Sequence, residues 1–166
     1  MTILTFLSAA LLFGYLDIMA GRKGIPDMVS DTYYQLGPKH GWIFSVVLTA
    51  ASVLLLIPIM DSGRGFLPAA FVGLSAMVFV ALSPNYLDQY DYKIHKSAAI
   101  LAALGCTAWC LSVNLLPTVV LMSIYVTYLI AIDIARRAGQ PPVCHPWYWA
   151  EVACFADVYW TGWSMV

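Results

Sequence analysis

Residues 41–60 read GWIFSVVLTAASVLLLIPIM, a run without a single charged side chain. Its length and texture decide what it is. A helix rises about 1.5 Å per residue, so ~20 residues cover the ~30 Å hydrocarbon core of a bilayer. Inside that core no water satisfies backbone N–H and C=O groups, which leaves helices or closed barrels. A barrel strand alternates polar with apolar over about ten residues; this run does not alternate. It reads as a membrane-spanning helix.

Similar runs lie on both sides of it, at residues 2–20, 66–83, 94–113, 116–135 and 147–165. The expected fold is therefore all-α: an integral membrane helical bundle of about six transmembrane helices, one membrane domain over residues 1–166. Composition agrees. The chain is 61% hydrophobic and 10% charged, against about 25% charged in soluble domains, and its mean hydropathy is +0.79. A net charge of −1 speaks against a basic nucleic-acid surface. No basic residue precedes residues 2–20, and Arg22 and Lys23 follow them. That run reads as a retained span rather than a cleaved leader.

Charge orients the bundle. Arg22, Lys23, Lys39, Lys93, Lys96, Arg136 and Arg137 fall in the first, third and fifth connections, and Arg64 alone falls on the other side. The positive-inside rule then puts those three connections in the cytoplasm and both termini outside, with a bacterial inner membrane as the expected location. Trp147 and Trp149 begin the last span, and Trp160 and Trp163 end it. From Trp147 to Trp163 a helix rises roughly 24 Å, matching two aromatic belts.

The first connection, RKGIPDMVSDTYYQLGPKHG at residues 22–41, is the longest polar interval. Asp27 reads as an N-cap, and Gly37-Pro38 as a stop. Between them Met28, Val29, Thr32, Tyr33 and Leu36 make one stripe, with Ser30, Asp31, Tyr34 and Gln35 mostly opposite. This predicts a short interfacial amphipathic helix. It serves as a structural tie between the first two spans or as a flap over a site. Ala98, Ala102 and Cys106, and likewise Ala69 and Gly73, are spaced for close helix packing. Cys106, Cys110 and Cys154 fall inside spans and Cys144 in the fifth connection, which gives no disulfide framework. Asn114 reads as a cap between two spans.

Acids in or near the membrane are the main functional candidates, because an unpaired charge is costly there. Asp17, Asp133 and Glu151 sit near the inner ends of spans, and Asp157 lies near the middle of the last. Asp157 and Glu151 in particular, with Asp17 and Asp133, are the polar-cavity candidates, although Arg137 is a ready i,i+4 partner for Asp133. His40, His95 and His145 come from three connections assigned to one face. With Asp91 they form a candidate zinc set. Asp88, Asp91 and His95 share a helix face if the fourth span begins early. No cofactor is otherwise expected.

The loop Ser30-Asp31-Thr32-Tyr33-Tyr34 with Gly41-Trp42-Ile43-Phe44, then Ser83-Pro84 and His95-Lys96-Ser97-Ala98-Ala99, resembles small polytopic membrane proteins of bacteria and their phages. The resemblance covers roughly the first two-thirds of the chain and implies a compact helical bundle. It brings no established activity. Alkaline-ceramidase-like hydrolases also use membrane histidines, but His145-Pro146-Trp147-Tyr148-Trp149 does not reproduce their final motif.

No GxSxG, HExxH or nucleotide-binding glycine loop is present. The first functional expectation is therefore a small channel, transporter-like protein or membrane assembly subunit with a cytoplasm-facing polar cavity. Membrane lipids, a second copy or a larger complex are the expected partners. The alternative is a metal-dependent hydrolase of a lipid at the inner leaflet, with the histidines as ligands and Asp91 or Glu151 as general base.

Overall fold

The computed structural model describes residues 2–85, 87–139 and 144–165. It is all-helical, with no strand among the described residues. The helices are α1 (Thr2–Lys23), a 3₁₀ turn (Val29–Asp31), α2 (Thr32–Leu36), α3 (Trp42–Ser62), α4 (Leu67–Leu82), α5 (Gln89–Val113), α6 (Leu115–Arg137) and α7 (Pro146–Trp163). Of these, α1, α3, α5 and α6 are long and apolar enough to cross a membrane. The 16 residues of α4 rise only about 24 Å, and the 18 of α7 carry Glu151 and Asp157. The break read at Pro141 and Pro142 lies outside the described residues; Pro146 opens α7.

Helix ends follow local chemistry. Helix α3 stops at Gly63, whose φ of 64° is the left-handed C-cap that glycine adopts without strain. Helix α5 begins five residues before the apolar run. Asp88 accepts the Tyr90 N–H at 2.9 Å and nucleates a polar first turn that hydrophobicity alone does not mark. Asn114 accepts the Leu116 N–H at 3.1 Å and caps α6. Asp27 is not the N-cap expected of it. The first helical stretch starts later, and Asp31 turns back to accept the Met28 N–H at 3.0 Å.

Five helices close a ring in the order α1, α3, α4, α5, α7, while α6 packs outside against α7 and α5. The ring is tightest between α4 and α5. A Cβ on Gly105 would sit 2.7 Å from the Ala69 carbonyl oxygen, and one on Gly73 2.6 Å from the Cys106 nitrogen. Only backbones without side chains can approach so closely. The stripe read at Ala69, Gly73 and Cys106 thus packs within the chain. Ring closure between α1 and α7 rests on Ser8. Its hydroxyl donates to the Ala51 carbonyl at 2.6 Å. With that proton committed, the Tyr159 hydroxyl 2.6 Å away must be the donor to Ser8 Oγ. One serine so joins α1, α3 and α7. Outside the ring, α6 exposes Leu115, Leu116, Val119, Ile124, Ile130 and Ile134, an apolar face suited to lipid.

Candidate functional site

The ring encloses a cavity of about 700 Å³. Its walls are apolar along most of their length, with Leu12 from α1, Phe44 and Leu48 from α3, Leu74 and Met77 from α4, and Phe155 from α7. Helix α6 contributes nothing to it. The Ser8, Ala51 and Tyr159 knot lies toward one end. Polar groups gather at the other, where Ser30, His95, Lys96 and Glu151 line the wall. Parts of its α5 and α7 walls are exposed. Tyr92, Ile100 and Trp147 are cavity walls and are also 47%, 50% and 67% exposed.

The first connection closes this polar end, and its own chemistry explains why. It splits into a 3₁₀ turn and a helix of five residues. Three residues per turn instead of 3.6 rotate the faces, so Ser30, read as polar-side, turns inward and is 6% exposed. The segment is pinned from three helices. Tyr15 of α1 donates to Thr32 Oγ1 at 2.8 Å, and Thr32 donates to the Val29 carbonyl at 2.7 Å. From α7, the Glu151 carboxylate accepts the Val29 N–H at 2.7 Å, and the Tyr148 N–H donates to the Asp27 carbonyl at 2.9 Å. From α5, His95 meets Ser30. At the rim the Tyr34 hydroxyl accepts the Leu87 N–H at 3.0 Å; burial raises that phenol above its ordinary value, against the pull of this bond.

His95 has a defined geometry. Pro84 follows directly on the C-cap Ser83, which leaves the Ser83 carbonyl among the orphan acceptors of a helix end. His95 Nδ1 lies 2.9 Å from that oxygen. A carbonyl only accepts, so Nδ1 carries the proton. In the neutral ring Nε2 is then an acceptor, and Ser30 Oγ lies 2.9 Å from it. Helix α5 presents His95 inward with Ala98 and Ala102 at i+3 and i+7, all buried. His95 is 8% exposed. Of the acids read on its helix face, Asp88 caps the helix instead.

The acids read as cavity candidates separate. Glu151 is on the cavity wall. Asp157 is not; it is 2% exposed where α6 and α7 meet α5, Thr118 donates to its Oδ2 at 2.8 Å, and Cys110 and Thr161 lie beside the carboxyl. Its depth along α7 was legible, but not its rotation toward α6. Asp17 is exposed. Asp133 is exposed and bound to Arg137 at 2.8 Å, the local pairing its spacing allowed. The zinc candidates also separate. His40 is exposed in the turn before α3, His95 is engaged as above, and His145 Nδ1 lies 3.1 Å from Asp27 Oδ1. Among the described residues no three His, Cys, Asp or Glu side chains group as a metal site. Two features escaped the sequence: the apolar cavity itself, which depends on ring order, and Ser30, whose facing depends on the 3₁₀ turn.

No protein-family model, curated protein or solved structure matches the chain.

Proposed function

We propose that this chain is an amphiphile-binding membrane protein, taking the apolar chain of a lipid-like molecule into the central cavity and its polar head to the Ser30, His95, Lys96 and Glu151 end. One observation carries this: a large apolar cavity, polar at one end, with partly exposed walls on α5 and α7. Its volume falls in the ~300–1,000 Å³ range of small-molecule sites. Left empty, such a space costs stability because the side chains lining it lack contact partners. Apolar walls do not hold water well. A hydrocarbon chain fills such a space at no such cost.

The remaining spans complete the reading. We take α4 and α7 to cross the bilayer with the four longer helices, six spans in a bacterial cytoplasmic membrane with both termini outside. The distribution of Lys and Arg supports this orientation. Lateral access between α5 and α7 would then face the inner leaflet, and the Lys96 ammonium at the rim suits a phosphate or carboxylate head.

The test is binding. Purified protein in short-chain detergent is analysed by native mass spectrometry and titrated with a fluorescent long-chain fatty acid. The expected result is one chain bound per protein, displaced by phospholipid. Ala99→Phe and Ala150→Phe, which fill the cavity from α5 and α7, should weaken binding at least tenfold. Saturable binding unaffected by either substitution, or none in the wild type, overturns the proposal.

A further inference from the structure

We propose that Ser30 and His95 are a nucleophile and its general base, and that the cavity is the acyl pocket of a membrane-embedded serine esterase. The inference rests on the amphiphile-binding reading and adds a reaction to it. A weak alcohol becomes a nucleophile when a neutral imidazole within hydrogen-bond reach takes its proton and a third group holds that ring in the right tautomer. All three parts are present. Ser30 Oγ lies 2.9 Å from His95 Nε2, and His95 Nδ1 lies 2.9 Å from the Ser83 carbonyl oxygen. The orienting group is a backbone carbonyl where hydrolases more often have a carboxylate. A tie between a loop and a helix requires only one hydrogen bond. Here the second bond fixes the accepting nitrogen on the hydroxyl, and both side chains form part of the cavity wall.

The reaction balances with water as the only co-reactant. An ester whose acyl chain lies in the cavity presents its carbonyl carbon to Ser30 Oγ. As the Oγ–C bond forms, the Ser30 proton passes to His95 Nε2, and the Ser83 carbonyl holds the imidazolium through Nδ1–H. The tetrahedral adduct collapses, the bond to the alcohol oxygen breaks, and the departing alkoxide takes the proton from Nε2. Water then attacks acyl-Ser30 with the same nitrogen as base. The carboxylic acid leaves and the Ser30 hydroxyl is restored. The substrate class is an ester of a long-chain acid whose alcohol part remains at the rim beside Lys96.

Mechanism-directed labelling tests this. Full-length protein in detergent is treated with a long-chain alkyl fluorophosphonate, and parallel samples with an ethyl analogue; adducts are located by intact mass and peptide mapping. The expected result is one adduct, on Ser30, absent in Ser30→Ala and formed at least about 100-fold more slowly in His95→Gln. Wild-type protein that binds the fluorescent fatty acid but gains no adduct at Ser30 overturns this inference and leaves the binding reading intact. Labelling of Ser30 by both reagents at equal rates, unaffected by Ala150→Phe, supports the nucleophile and overturns the acyl pocket. Since the wild type alone decides the first point, a variant that folds poorly does not obscure it.

Discussion

The backbone N–H of Val29 donates to the Glu151 carboxylate at 2.7 Å, across 122 positions of sequence. This contact fastens the first connection to α7 at the polar end of the cavity. A buried amide left without an acceptor costs about 1–3 kcal/mol. Glu151→Gln keeps a carbonyl oxygen at the same reach, and Glu151→Ala removes it. Thermal unfolding in detergent should therefore show Glu151→Ala destabilised by about 1–3 kcal/mol and Glu151→Gln by much less. Equal losses in both would mean that the charge, not the acceptor, is what matters.

The contact of α4 with α5 offers a steric test with an internal control. A Cβ at Gly105 meets the Ala69 carbonyl oxygen at 2.7 Å and the Gly73 Cα at 2.8 Å. Neither is the movable end of a side chain, so the helices must separate. Gly105→Ala should cost about 1–3 kcal/mol, and Gly105→Leu more. Gly14, in α1, has nothing within 4 Å of its Cβ position. Gly14→Ala should be neutral or stabilising by up to about 1 kcal/mol through helix propensity. The comparison is read from melting temperatures of the three variants in one detergent.

Asp157 and Thr118 join α6 to the ring. Asp157→Ala leaves the Thr118 hydroxyl buried without its acceptor, and Thr118→Val removes this donor from the carboxyl. Each change alone should destabilise by about 1–3 kcal/mol, whereas the double variant should cost less than the sum. Hydrogen exchange should rise along α6 first, because this is its buried polar tie to α7. Asp61→Asn, at an exposed position, should change neither measurement. Additive losses from the two changes would show that the bond carries no coupling.

What the sequence makes legible is set by the range of the physics. Residues 41–60 announce a helix because length and hydrophobicity are local properties. Asn114 and the Asp133–Arg137 pair are legible for the same reason: each partner lies within four positions. The stripe at Ala69 and Gly73 reveals a close-packing face without naming its partner. Gly105, which completes the contact from α5, follows only once α4 and α5 are neighbours. An α-helical period puts Ser30 on the wrong face because the segment is a 3₁₀ turn. Asp157 shows the other limit. An acid inside a span must be satisfied, but whether by a cavity or by Thr118 depends on where α6 lies. The cavity belongs to no segment at all, since it arises from ring order.

The span count and orientation can be tested without any ligand. Asp61, in the last turn of α3, and Lys39, just before its start, are both exposed, so if α3 crosses the membrane they lie at opposite faces. Lys39 belongs with the basic connections and Asp61 with the connection holding only Arg64. On the proposed orientation, position 61 should lie outside and position 39 in the cytoplasm. Cys144 and Cys154, both half-buried, are replaced by Ser to lower the background, while Cys106 and Cys110 are buried. In that background, Asp61→Cys should react in intact cells with a membrane-impermeant maleimide, and Lys39→Cys only after the membrane is opened. Position 87, exposed before α5, separates four spans from six. If α4 crosses, Leu87→Cys shares the cytoplasmic protection of Lys39→Cys. If α4 does not cross, it is labelled from outside like Asp61→Cys, and the six-span arrangement is lost along with the inner-leaflet entrance between α5 and α7.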